Sequence, residues 1–341
     1  MPGASRPWYR RTSAAVTGGL ALGGLLCTVA WKVSPWPAAL LIRAVFDRGA
    51  RQTVAEMTPY VPDGVAELLS IAYGPGGPAE TLDLFSPAGT EEPLPTVVWI
   101  HGGAWISGTK EDVNPYARII ASHGYTTVSL NYAVSPGAIY PGAVAQLNAA
   151  LGFLVEHAAE FRIDPARLVL AGDSAGAQLA SQLANLITNP GYAASVQMSP
   201  ALNPNQLAAV ILNCGIYDLS AIPNVPGLGG WGFRMALWGY LGRKHWPGTR
   251  GGSEMSSIDF VTAAFPRTWI SGGNGDPLTS QQSRPFAARL TALGVPVTAV
   301  FYDSEPALPH EYQFHLDYAE ARSALDSTLE FLATLRPVSA P

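Results

Sequence analysis

Residues 167–184, RLVLAGDSAGAQLASQLA, place a serine between two glycines where an apolar run gives way to helical spacing. Leu168 to Ala171 read as a strand, and Leu179, Leu183 and Leu186 recur at helical intervals. Gly172, Ser174 and Gly176 then form G-x-S-x-G at a sharp strand-to-helix turn. Such a turn lifts the Ser174 hydroxyl above the sheet and leaves the N–H of Ala175 free at the helix start. A nucleophile beside an oxyanion donor suits acyl transfer through a covalent intermediate. A Gly-rich turn also packs a strand closely against a helix with no chemistry at all. The serine therefore needs partners.

Further oxyanion donors are sought first. VVWIHGGAW, residues 97–105, is an apolar strand that ends in His101-Gly102-Gly103. Glycines there let the backbone turn, so that the N–H groups of Gly102 and Gly103 join that of Ala175. His101 reads as a structural residue of that loop. The acid is Asp276 in WISGGNGDPL, just past a strand end, where Pro277 fixes the turn. A carboxylate there orients an imidazole and stabilises its cation. Asp218 and Asp303, after the neighbouring strands, are its rivals. The base is His310 in EPALPHEYQF, before the final helix, with His315 as rival. His123 and His157 lie on expected helices, and His245 lies in an insertion.

The elements that must hold these residues alternate. Strands are expected at 68–73, 82–85, 97–100, 126–131, 168–171, 208–213, 268–270 and 297–302. Helices are expected at 35–50, 114–122, 142–161, 177–187, 280–293 and 313–335. The first two strands have no helix between them, so the sheet starts antiparallel. The rest read as β-α-β units, giving an α/β fold with a mostly parallel sheet and helices on both faces. Sites in such sheets lie at the C-terminal strand ends, where Ser174 falls. Residues 219–266 break the alternation with a long, aromatic stretch, read as a helical cap. Trp105, Trp231 and Trp238 are taken as its pocket walls.

Composition narrows the class. Hydrophobic residues make up 48% of the 341-residue chain and charged residues 13%, which implies a large core and an apolar ligand or membrane component. The net charge is −5 with no basic stripe, so nucleic acid is excluded as a partner. Cys27 and Cys214 suit neither a disulfide nor a metal site. No metal and no cofactor are expected. At the N-terminus, Arg6, Arg10 and Arg11 precede a nearly uncharged run from Ser13 to Trp31. Residues 1–32 read as a signal anchor that leaves the main domain outside, or as a signal peptide cleaved near Ala30. Residues 33–65 form an N-terminal helical segment beside the cap. The main domain spans 66–336.

HGGAW, GDSAG, GDPL and LPHEYQF together resemble the α/β hydrolases over roughly residues 66–336. The chain is similar to hormone-sensitive-lipase-like carboxylesterases and to the neighbouring feruloyl-esterase and prenylcysteine-methylesterase-like group. The order Ser174, Asp276, His310 is the triad order of that fold. The resemblance implies cofactor-free hydrolysis of carboxylic esters, with that triad and an oxyanion hole of Gly102, Gly103 and Ala175. Three positions depart from the pattern: Ala104 replaces a third glycine, NYAVSP replaces the usual Arg-Leu after Asn-Tyr, and Gln146 stands where an acid is common. They bear on the substrate, expected to be a short- to medium-chain ester. Amide hydrolysis or feruloyl-type specificity is the alternative, and a non-catalytic, membrane-tethered binding protein would require a broken triad.

Overall fold

The computed structural model describes residues 31–225 and 227–335. The expected anchor or signal peptide falls on residues 1–32, and 1–30 lie outside the described residues. Among the described residues no helix is long and apolar enough to cross a membrane.

Eight strands form one sheet: β1 (Val65–Ala72), β2 (Thr81–Pro87), β3 (Leu94–Ile100), β4 (Thr126–Leu130), β5 (Ile163–Asp173), β6 (Leu207–Asn213), β7 (Thr268–Gly272) and β8 (Val297–Phe301). Their spatial order is β1-β2-β4-β3-β5-β6-β7-β8. β2 runs antiparallel to both neighbours, and every later pairing is parallel. The helices used below are α1 (Trp36–Met57), α2 (Asn114–Ser122), α3 (Gly142–Glu156), α4 (Ala175–Thr188), α5 (Gly227–Leu241), α6 (Arg284–Ala292) and α7 (Ala319–Ala333).

The apolar strands are buried on both faces, and their period of two divides the core. Val98, Ile100 and Leu170 point into one cluster with α3 and α4 residues such as Leu147 and Leu183. Val97, Trp99, Val169 and Ala171 point the other way, toward Ile120 of α2 and Phe331 of α7. β5 lies in mid-sheet, and every residue of α4 that follows it is buried. Ser174 is thus fixed at a fully buried strand–helix junction.

Element ends differ from expectation where burial, not periodicity, decides. α1 continues to Met57, which is fully buried, and a Gln52–Glu56 hydrogen bond at i,i+4 supports the extension. The helix expected from Gly142 breaks at His157 and resumes at Ala158–Phe161. The last helix begins at Ala319 instead of Gln313. Gln313 and Phe314 are buried in a single 3-10 turn, and His315 leaves it with ψ 75°.

Candidate active site

Ser174 occupies the junction of β5 and α4 at φ 50°, ψ −118°. A non-glycine residue there carries backbone strain of about 1–3 kcal/mol. Close packing holds it. A Cβ on Gly176 would lie 2.0 Å from the Ile100 carbonyl oxygen, and one on Gly172 would lie 2.5 Å from the Gly176 carbonyl carbon. The Ser174 N–H donates to the Asn213 carbonyl at 2.9 Å, tying the turn to β6.

His310 Nε2 stands 3.0 Å from Ser174 Oγ, and His310 Nδ1 stands 2.7 Å from Asp276 Oδ2. Asp276 is buried and its second oxygen accepts from the Leu278 N–H at 2.9 Å. The loops that carry acid and base are tied to each other. The Gly275 N–H donates to the Leu308 carbonyl, the Leu308 N–H to Asn274 Oδ1, and Asn274 Nδ2 to the Ser304 carbonyl. Gly273 is required by that approach, because a Cβ would stand 2.4 Å from the Leu308 oxygen.

The rivals have other partners, although His315 lines the same cleft as His310. Asp218 caps its own turn at Ser220, and Asp303 pairs with Arg284. His315 Nδ1 lies 3.1 Å from Glu56 of α1. His101 is buried, stacks on Tyr132 with ring centroids 4.4 Å apart, and contacts the Gly102 carbonyl through Nδ1. Burial pushes its pKa down to about 4, so it is neutral at pH 7.

The oxyanion donors need one correction. The Gly102 N–H donates to Asp173 Oδ2 at 2.8 Å, so it is not available to a substrate. Trp99 Nε1 holds the other Asp173 oxygen at 2.7 Å. Gly103 at φ 101° and Ala104 at φ 52° turn the chain so that neither N–H has a protein acceptor, and Ala175 N–H is likewise unpaired. The free donors are therefore Gly103, Ala104 and Ala175, the last at the positive end of α4. Sequence reasoning missed Ala104 because a positive φ at alanine has no sequence mark.

It also missed Glu311, whose carboxylate lies 3.8 Å from His310 Nε2. Burial and the neighbouring Glu311 charge hold the Asp173 carboxyl well above the usual range. At His310, burial opposes the cation, while the Asp276 hydrogen bond and the Glu311 charge favour it and hold the pKa above the ordinary imidazole value. Burial also pushes the Cys214 thiol up, so near neutral pH it is uncharged and the two carboxylates supply the negative field. About a third of the His310 side chain, 36%, stays accessible, which limits the cost of burying the cation.

A cleft of about 400 Å³ opens beside His310, Glu311 and the oxyanion loop. Its floor includes Gly102, Gly103, Asp173 and His310, and its walls include Val45, Phe46 and Thr53 of α1 and Phe233 of α5. Trp105, Trp231 and Trp238 do not line it. Trp105 is fully buried, stacks on Tyr240 and donates to Gln178. Trp231 packs on a small cluster of Ala39, Ile42, Ala104, Ile106 and Ala236, and Trp238 is buried with Lys244 over its ring. Large aromatics suit pocket walls, but here their size puts them into packing between α1, α5 and the loop.

A family model described as BD-FAE matches residues 82–290, more than half of the chain. The match contains Ser174 and Asp276 and ends before His310. Esterase LipQ of Mycobacterium tuberculosis is 27% identical over 301 residues, covering 84% of this chain and 68% of LipQ. Carboxylesterase NlhH of the same organism is 36% identical over 109 residues, 32% of this chain and 34% of NlhH. The crystal structure of esterase B from Lactobacillus rhamnosis superposes with a TM-score of 0.76 at 23% identity, covering 88% of this chain and 96% of that one. The fold is that of the α/β hydrolases.

Proposed function

This chain belongs to the BD-FAE family, and from that premise we propose that it is a carboxylic ester hydrolase acting through an acyl-enzyme on Ser174. The observation that carries this reading is the unbroken line Ser174–His310–Asp276, at 3.0 Å and 2.7 Å, beside three unpaired N–H groups. His310 Nε2 takes the Oγ proton as Ser174 attacks the ester carbonyl carbon. The N–H groups of Gly103, Ala104 and Ala175 hold the resulting oxyanion, each contributing roughly 3 kcal/mol to the transition state. Asp276 fixes the imidazole tautomer and stabilises its cation. His310 then gives its proton to the leaving alcohol. Water, deprotonated by the same nitrogen, releases the acid.

The α1 and Phe233 walls bound the cleft and support a preference for short- to medium-chain acyl groups over long ones. Residues 1–32 act as an anchor or export signal that places the catalytic domain outside the cytoplasm, a reading supported by arginines ahead of an apolar run. Hydrolysis of p-nitrophenyl esters graded from acetate to palmitate tests the activity and its length limit. Turnover that persists in folded Ser174→Ala would sink the nucleophile. Full-length protein found only in the cytosolic fraction would sink the targeting.

A further inference from the structure

Large apolar side chains left in solvent are not scattered over this molecule. Eleven such residues are exposed among the described residues, and six lie between Val33 and Phe46: Val33, Trp36, Leu40, Leu41, Val45 and Phe46. Of the six, Leu40 and Leu41 turn away from the residues that pack, whereas Val45 and Phe46 lie three and four residues on from Ile42 and open toward the cleft. Ala38, Ala39 and Ile42 are buried, the last two against Ala104, Ile106 and Ala236. Arg43 adds hydrogen bonds to the Ile106 and Ser135 carbonyls, and Asp47 accepts from Ser107. The helix is thus held to the oxyanion loop by one side and presents an apolar side outward. An exposed apolar patch of this kind marks an interaction surface.

Three observations select its occupant. The apolar run Ser13–Trp31 ends immediately before this helix. Lys32 to Pro35 reach at most about 14 Å when extended, so a run seated in a bilayer delivers the first turn of α1 to the membrane surface. Charge agrees. The chain is net −5, yet with Arg43 and Asp47 engaged in the loop and Glu56 facing His315, the segment offers Lys32, Arg48 and Arg51. Cations beside Trp, Phe and Leu are the composition of a helix lying in an anionic lipid interface. Finally, Val45 and Phe46, exposed themselves, line the cleft next to that face.

We infer that the outer face of α1 lies on a lipid bilayer, with the mouth of the cleft turned toward it. Esters that partition into the membrane surface then reach Ser174 without crossing water. This deepens the anchor reading given above for residues 1–32 and rests on it.

The test uses the full chain and vesicles of POPC and POPG in a 3:1 ratio. A Cys27→Ser/Leu41→Cys variant carries an environment-sensitive NBD label on position 41, and Cys214 is buried. Vesicles are expected to raise and blue-shift the emission, and brominated lipids to quench it. This readout needs no hydrolysis. Co-sedimentation with a silent label would overturn the seating of α1 alone. Absence of co-sedimentation would overturn the anchor reading with it. A label that responds to protein concentration without lipid would assign the face to a second copy and overturn the proposal. Leu40→Asp/Leu41→Asp extends the test to rate. It is expected to keep kcat/KM on dissolved p-nitrophenyl butyrate and lose most of the rate on vesicle-borne p-nitrophenyl octanoate. An equal rate on both would overturn delivery from the membrane.

Discussion

A methyl group added to Gly176 would stand 2.0 Å from the Ile100 carbonyl oxygen, while one added to Gly232, in α5, would meet nothing within 4 Å. The first glycine supports the floor of the cleft, where backbone touches backbone between β3 and the start of α4. The second belongs to the helix that helps roof it. The floor is set where backbone is in direct contact with backbone, at the ends of β3 and β5 and the start of α4. The roof is built from side chains of α1 and α5 laid over the oxyanion loop, and its conformation depends on a few hydrogen bonds such as those of Arg43. A single cleft therefore joins a part that tolerates almost no change to a part that tolerates many. Chemistry is assigned to the first and selectivity to the second.

Substitutions can break this contrast, and the largest effects belong to the floor. Ser174→Ala is expected to lower kcat by on the order of 10⁶ with the fold intact, and His310→Ala nearly as much, since a triad acts as a unit. His315→Ala, whose ring faces Glu56, is expected to stay within a few-fold of the parent. Asp276→Asn should cost about 10⁴ by fixing the wrong imidazole tautomer. Assays on p-nitrophenyl butyrate, with circular dichroism as the folding control, check all four; an inactive, folded His315→Ala would move the base. Thermal melts test the glycines next. Gly176→Ala is expected to lose about 3 kcal/mol or more from overpacking against backbone. Gly232→Ala should gain about 0.5–1 kcal/mol from reduced chain entropy in a helix. Equal melting temperatures would erase the distinction between floor and roof.

Two subtler changes sharpen it. Ester hydrolysis needs neutral His310, so activity falls as pH drops through its pKa, and the raised pKa sets that acid limb higher than for a free imidazole. Glu311→Gln removes one of the charges that stabilise the cation. The acid limb of kcat/KM should therefore move to lower pH, and a limb that stays in place would deny Glu311 any electrostatic role. Phe233→Ala acts only on the roof. It should favour longer acyl chains by about fourfold for each added CH₂ accommodated, at about 0.8 kcal/mol apiece, with little loss on acetate. A chain-length profile identical to the parent would take Phe233 out of the pocket.

The same contrast explains what was legible in the sequence. Ser174, Asp276 and His310 follow strands, and each strand announces itself by a short apolar run closed by glycine or proline. All eight strands and their mainly parallel order could be read in this way. The triad pairing needed only the rule that such strand ends gather on one edge of the sheet. Gly102 was misread because its N–H is removed by Asp173, a residue 71 positions away, and that contact is a product of the fold. The tryptophans were misread for a related reason. Their abundance in 219–266 signals burial, but whether a ring meets a ligand or a helix depends on where α1 docks. Glu311 carried a local mark, its place beside the expected base, but its φ of 58° and its closeness to His310 were not readable.

The hydrogen bonds that tie the Asp276 loop to the His310 loop have a dynamic consequence. Acid and base are fastened to each other through Gly275, Leu308 and Asn274, whereas the nucleophile is fastened to β6 through Asn213. β6 is also tied to β7 by the Cys214 N–H donating to the Ser271 carbonyl, and the 3.0 Å contact from Ser174 Oγ to His310 Nε2 is the direct link between the two groups of residues. A small outward motion of the joined Asp276 and His310 loops would open that contact and leave the carboxylate–imidazole pair closed. The imidazole would keep its tautomer through every such excursion, so catalysis resumes when the gap closes, with no proton to relocate. In proton NMR, the downfield Nδ1 signal should therefore persist under mild warming that already slows phosphonate labelling of Ser174.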